Sequence, residues 1–248
     1  GEGTALTLWP NGLSALFHID PKLCQTMLKN GTMIQEQWFV TSRDFTRKDT
    51  SSFSEDYGFP LLSVPWSLFH NALLHKVGNK NIQFGRECID IETMENGICL
   101  HFADGTKHYT KHVLVCDGIH STLRQRLVHD GPPRRHDRII FRSIIPQQEN
   151  MPHKTMFGST KANPNILVHG QPCGNGSFYW AVVLRNVSSD KSDNREQRKG
   201  WLLDQLYEFP EMQRWVQGTA SEDILEREVL DRPGLSTWRY AEDRVLLM

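Results

Sequence analysis

The stretch that most constrains this chain is HVLVCDGIHSTLRQR, residues 112–126. Val113-Leu114-Val115-Cys116 is an apolar, β-favouring run, long enough for a strand buried on both faces. Asp117-Gly118 breaks it, and Gly118 permits a backbone angle or a close ligand approach that a side chain would forbid. Ser121 is a fair helix N-cap, and the pattern after it predicts a helix over 122–128. Strand, tight turn and helix start, in that order, describe the carboxyl end of a strand in an α/β sheet. Ligands bind at such places, and helix-start N–H groups suit phosphate. Arg124 adds a planar cation able to reach a phosphate or carboxylate. A bare Asp-Gly pair also marks ordinary solvated turns, so the chemistry rests on the longer string.

The rest of the composition narrows the field by exclusion. With 28 Lys plus Arg against 29 Asp plus Glu over 248 residues, no net field draws the chain to nucleic acid or anionic membrane. No nucleic-acid partner is expected. No apolar run approaches the ~20 residues of a membrane span, and no signal peptide is visible. Cys24, Cys88, Cys99, Cys116 and Cys173 are odd in number and never spaced CxxC. That pattern predicts reduced thiols in an intracellular, cytoplasmic setting, with an organelle left open. His101, His108 and His112 suggest a metal, but no carboxylate or Cys stands at ligand spacing along the chain, so no metal is expected.

Taken in order, the chain predicts a short strand over 5–8 and a helix from Pro10-Asn11 with Leu13, Leu16 and Phe17 on one face. A second helix over 21–28 stops at Asn30-Gly31. Gly1 and Gly3 are not a dinucleotide fingerprint, because Leu6 takes the third glycine's place. Met33 to Thr41 and Phe59 to Val64 read as strands joined by a polar loop over 43–57, with Trp38, Phe39 and Phe59 as sheet core or pocket lining. Pro65 opens the strongest helix, its stripe running through Leu68, Phe69, Ala72, Leu73 and Leu74. Strands are expected at 82–84, 88–93, 98–102 and 113–116, with Asn96-Gly97 and Asp104-Gly105 as hairpin turns. A second sheet is expected from 138–145, 155–158, 165–169 and 177–184. A helix over 200–216, with Trp201, Leu202, Leu206 and Phe209 buried, is broken at Pro210.

LVCDGIHSTLRQRL resembles the second conserved motif of the FAD-dependent aromatic hydroxylases, the para-hydroxybenzoate-hydroxylase-like monooxygenases. That motif has the form (A/C)DGxxSxxR, and Cys116, Asp117, Gly118, Ser121 and Arg124 fill it without a gap. Weaker resemblances cover 5–16, 64–74 and 232–248. The resemblance implies a mixed α/β fold: a partial Rossmann-like FAD/NAD(P)-binding domain with an inserted antiparallel-sheet substrate domain. The former would comprise 1–30, 65–133 and 232–248, the latter 31–64 and 134–231. It implies that Asp117 and Gly118 meet FAD, that Ser121 caps the helix and that Arg124 fixes the motif or its phosphates. Trp66 stands where the family has an Arg or Gln on the cofactor, and would pack on it or donate one hydrogen bond. FAD with NAD(P)H as co-substrate is implied, acting on an aromatic or olefinic small molecule. The family's GxGxxG and final Gly-Asp are missing from these residues, so the chain reads as a portion that alone would bind FAD weakly or not at all.

Asp117, His120 and Ser121 do not make a hydrolase triad, since they are too close in sequence and no GxSxG elbow occurs. In flavin hydroxylases the cofactor carries the hard chemistry, so no side chain is nominated as catalytic. Another flavin oxidoreductase or halogenase of the same fold, or a non-catalytic flavoprotein-like binding module, stays open.

Overall fold

A computed structural model of the chain describes residues 4–41, 43–161, 163–187 and 194–248. In chain order its elements are β1 (Ala5–Leu8), α1 (Pro10–Ile19), α2 (Pro21–Asn30), β2 (Thr32–Ile34), β3 (Glu36–Thr41), β4 (Phe45–Asp49), α3 (Phe53–Tyr57), β5 (Leu61–Pro65) and α4 (Trp66–Val77). There follow β6 (Cys88–Met94), β7 (Gly97–Phe102), β8 (Lys107–Thr110), β9 (Val113–Val115), α5 (Thr122–Val128), β10 (Arg134–Pro146), β11 (Thr155–Lys161), β12 (Ile166–Gly174) and β13 (Ser177–Arg185). The chain closes with α6 (Arg195–Gln205), α7 (Pro210–Gln217), β14 (Leu225–Asp231), β15 (Arg239–Tyr240) and β16 (Val245–Leu247). Pro10, Pro21 and Pro210 each open a helix, where a missing N–H costs nothing.

Contacts divide the chain into two compact units, residues 1–77 with 137–228 and residues 78–136 with 229–248. In the first, a seven-stranded sheet runs β14-β10-β13-β12-β11-β3-β4, antiparallel from β10 to β11 and at β3–β4, with β11 and β3 parallel. Alternation decides its faces. Phe178, Trp180, Val182 and Leu184 of β13 turn to one side, with Ile166 and Val168 of β12. They meet Leu202, Leu206, Phe209, Met212, Trp215 and Val216 from α6, α7 and the link between them. Phe178 and Trp180 are fully buried there, and each large apolar side chain so placed contributes ~1.5–3 kcal/mol. A smaller sheet, β1-β5-β2, packs with α1, α2 and α4 around Leu13, Met27, Leu62 and Val64.

The second unit holds a three-stranded meander, β6-β7-β8, and a sheet ordered β15-β16-β9. Strands β9 and β16 run parallel, with Val115 opposite Leu247. Parallel pairing needs a long crossover between its strands, and more than a hundred residues intervene here. Ile98, Val115, Leu123, Val245 and Leu247 form the core, so α5 is pinned by Leu123.

Several expectations need correction. The strand after His112 is not buried on both faces: Val115 is buried, but Leu114 is 64% exposed. No strand forms at 82–84; a 3-10 turn ends at Asn81, and Phe84 is exposed. The polar segment 43–57 holds β4 and α3 rather than a loop. Trp38, Phe39 and Trp201 are exposed, while Phe59 packs partly buried on the α1–α2 core. β14 had no counterpart in the expectations.

Candidate functional site

At the carboxyl end of β9 the chain turns through Cys116-Asp117-Gly118 into α5. Gly118 has φ +79°, a conformation that L side chains rarely adopt. A Cβ there would meet nothing within 4 Å, so backbone angle rather than crowding requires the glycine, and the space above it is open. The amide of Ser121 donates to the Gly118 carbonyl at 3.1 Å and closes the turn. The Ser121 side chain, 4% exposed, accepts from the Arg124 amide at 2.9 Å, which is the expected N-cap. Such a cap stabilises a helix by ~1 kcal/mol. The Asp117 carboxylate is exposed and has no hydrogen-bond partner among the described residues. Beside it, burial pushes the Cys88 thiol above its ordinary pKa, with the charges of Asp117 and Asp90 adding to the effect.

Arg124 turns inward. Its Nε donates to Asp130 Oδ2 at 2.7 Å and a terminal nitrogen donates to the Pro233 carbonyl at 2.7 Å. Arg232 approaches the same carboxylate from the other side, its Nη1 donating to Asp130 Oδ1 at 2.8 Å. The Arg232 Nε donates to the Ile119 carbonyl at 2.7 Å, so this side chain holds the turn itself. Its side chain is 3% exposed and Asp130 10%. Two cations share one carboxylate, which leaves an excess positive charge beneath the loop, where low dielectric strengthens its reach. One Arg232 nitrogen, Nη2, is enclosed without a partner.

The structure therefore brings Asp117, Gly118, Ser121 and Arg124 into one turn and helix start. Trp66 belongs to the other unit, where it opens α4 half-buried and stacks on His70, ring centroids 4.4 Å apart and 13° from parallel. Asp130 and Arg232 escaped the sequence reading. A buried Asp–Arg pair leaves no periodic signature, and these two lie 102 residues apart. Strand pairing also gathers ligand-type side chains around His101. Glu92 stands opposite Cys99 across the β6–β7 hairpin, and His101 is two residues on along the same face. The ligand atoms of these three lie within 4.8 Å of one another, with His101 Nε2 3.3 Å from Glu92. Spacing along the chain missed this group because strand pairing, not sequence, assembles it.

No protein-family model matches the sequence. Among curated proteins, the chain is 24% identical over 201 residues to 6-hydroxynicotinate 3-monooxygenase of Pseudomonas fluorescens, covering 74% of this chain and 49% of that protein. It is 27% identical over 217 residues to FAD-dependent urate hydroxylase of Klebsiella oxytoca, covering 80% and 54%. It is 26% identical over 192 residues to 3-amino-4-hydroxybenzoate 2-monooxygenase of Streptomyces cremeus, covering 75% and 45%. The chain thus spans about half the length of the curated relatives it matches. In fold it is similar to Klebsiella pneumoniae HpxO complexed with FAD and uric acid, with a TM-score of 0.86 at 19% identity over 100% of this chain and 64% of that one. In sequence and in fold the chain is thus similar to FAD-dependent aromatic hydroxylases and monooxygenases.

Proposed function

We propose that the chain is part of an FAD-dependent monooxygenase that uses NAD(P)H and oxygen to hydroxylate or epoxidise an aromatic or olefinic small molecule. The observation that carries this reading is the Asp117-Gly118 turn at the end of β9. Its glycine is left-handed and uncovered, its carboxylate is free, and Arg232 donates to the carbonyl of the next residue, Ile119. Those features fit a flavin nucleotide lying against main chain. When bound, the flavin would supply the electrons and the activated oxygen. Asp117 and the Gly118 backbone would meet FAD, and Ser121 would fix the direction of the N–H groups that open α5. Arg124, committed to Asp130 and Pro233, would hold the motif, and Trp66 would offer an indole to the cofactor. We assign 1–30, 65–133 and 232–248 to the nucleotide-binding part, and 31–64 with 134–231 to the substrate part. Among the described residues no helix is long and apolar enough to cross a membrane. Five free cysteines support a reducing, intracellular compartment.

The test uses the protein at its relatives' full length, purified with added FAD. Flavin absorbance that stays with the protein, NAD(P)H oxidation stimulated by an aromatic substrate, and oxygen-18 from O2 in the product are expected. No retained flavin would remove the reading. NAD(P)H oxidation without labelled product would replace it with a dehydrogenase or halogenase of the same fold.

A further inference from the structure

The β6–β7–β8 meander has a face turned away from its own core, and metal-ligating side chains meet on it. Ile91, Ile98 and Leu100 point inward, Ile98 buried in the core of the unit and the other two packed against it. Side chains alternate along a strand, so Glu92, Cys99 and His101 point outward. Registers set Glu92 opposite Cys99 and Asp90 opposite His101, with Tyr109 and Lys107 facing the same two from β8. Directly opposed residues share a face. Cys99, a free cysteine, is 1% exposed although it faces outward, so neighbouring side chains rather than the core cover it. β7 is the central strand of the three, and β6 joins it through a two-residue turn, Glu95-Asn96. The backbone that carries the two ligands of β7 is therefore held from both sides.

The distances suit one small cation. A Glu92 carboxylate oxygen, Cys99 Sγ and a His101 ring nitrogen all lie within 4.8 Å of one another, and His101 Nε2 stands 3.3 Å from Glu92 Oε2. Bonds of about 2.0–2.1 Å to nitrogen and oxygen put two ligands of a tetrahedral zinc ion about 3.3–3.4 Å apart. The His101–Glu92 edge already has that length. A zinc–sulfur bond of about 2.3 Å sets the sulfur about 3.6 Å from either neighbour, so the thiol closes by little more than about 1 Å. Side-chain rotation covers that shift. An ion pair needs only Glu92 and His101; the thiol beside them supplies the third arm of a chelate. The charges also balance. A carboxylate and a thiolate neutralise a dication, so the filled site leaves no net charge opposite Lys107. A sulfur, nitrogen and oxygen set favours zinc over magnesium or calcium, which take oxygen ligands.

We propose that Glu92, Cys99 and His101 form a zinc site whose fourth position opens to solvent and takes a water molecule. The side chains of Glu92 and His101 are 61% and 28% exposed, which gives the ion its entry path from the outward side. On binding, the Cys99 sulfur releases its proton to solvent and forms the sulfur–zinc bond. The imidazole bonds through Nε2 and carries its hydrogen on Nδ1. No electron changes hands. The ion joins β6 to β7 at a register the backbone already sets. α5 packs on β6, with Arg126 Nε 4.0 Å from Asp90 Oδ1, so an occupied site stabilises the hairpin beneath the helix that follows the Asp117 turn. This site does not depend on the flavin reading.

The test titrates the reduced, metal-stripped chain at pH 7 with cobalt(II), then displaces the cobalt with zinc. Tetrahedral cobalt with a thiolate ligand shows intense visible bands and a near-ultraviolet sulfur-to-metal band, and both vanish as zinc takes its place. We expect one ion per chain, an affinity for zinc in the micromolar range or tighter, and a thermal midpoint that rises with zinc occupancy. Cys99→Ser should abolish the near-ultraviolet band. Glu92→Ala and His101→Ala, whose side chains reach solvent, should each weaken zinc about a hundredfold or more, since losing even an outer partner of a ligand costs about 10–100-fold. These two variants decide the matter even if Cys99→Ser fails to fold. Cys88→Ser and Cys116→Ser should leave the titration unchanged. Absence of the near-ultraviolet band, zinc affinity weaker than millimolar, or unchanged affinity in Glu92→Ala or His101→Ala would overturn the proposal. So would a band lost with Cys88→Ser or Cys116→Ser, which would place the ion on another thiol.

Discussion

Asp130 shows what single residues contribute here. It carries no motif, yet it joins Arg124 of the helix to Arg232, which grips the turn. Asp130→Ala would strand two largely buried guanidinium groups. Unfolding in urea should show a loss of roughly 3–5 kcal/mol, the cost of breaking a buried ion pair from one side. Loss under about 1 kcal/mol, the scale of an exposed pair, would show the network to be ornamental. Asp20 offers a test by pH. Its carboxylate caps α2 and is held below the ordinary carboxylate range by Lys76, then by the backbone N–H groups of Leu23 and Lys22. A lowered folded pKa contributes stability that is fully present above the unfolded value, about 3.9, and is lost as pH falls through the folded one. The stability gap between wild type and Asp20→Asn should therefore be constant from pH 7 to about 5 and close only in stronger acid. A gap that closes between pH 7 and 5 would point to a different group. The residues that were legible, Ser121 and Gly118, act on their own neighbours; Asp130 and Arg232 act across the fold.

At the scale of elements, legibility followed burial. The strands β10 to β13 were visible because alternate side chains are apolar and meet the α6–α7 core. β4, with sequence FTRKD, has every residue exposed and takes its form from pairing with β3, so alternation could not reveal it. The run at 82–84 failed in the other direction, since three β-favouring residues without a partner strand do not make one. Packing within the main core sets its own test at Gly170. A Cβ there would lie 2.8 Å from Phe157 Cε1, 2.8 Å from Trp215 Cζ3 and 2.9 Å from Phe178 Cζ. These rings hold one another, Phe178 and Trp215 with centroids 4.7 Å apart, and cannot simply step aside. Gly170→Ala should cost about 1–3 kcal/mol by overpacking, read as a lowered denaturation midpoint. A neutral result would mean that the rings shift freely.

The whole molecule consists of two units that the chain enters and leaves repeatedly, crossing after residues 77, 136 and 228. Each has its own core, and separate cores license separate unfolding steps. Calorimetry should resolve two transitions, with Asp130→Ala lowering one and Gly170→Ala the other. One transition displaced equally by both variants would show a single cooperative unit.

By itself the sequence determined the local geometry: helix starts at Pro10 and Pro21, the left-handed glycine and its capping serine, and the alternation of the central strands. It also carried the motif that pointed to the family. These depend on neighbours a few residues apart, whose conformations are set by sterics and short hydrogen bonds. Tertiary structure alone decided the parallel pairing of β9 with β16 and the gathering of Arg124, Asp130 and Arg232. Their members are distant along the chain, and only the burial of shared cores sets the strand registers that bring them together.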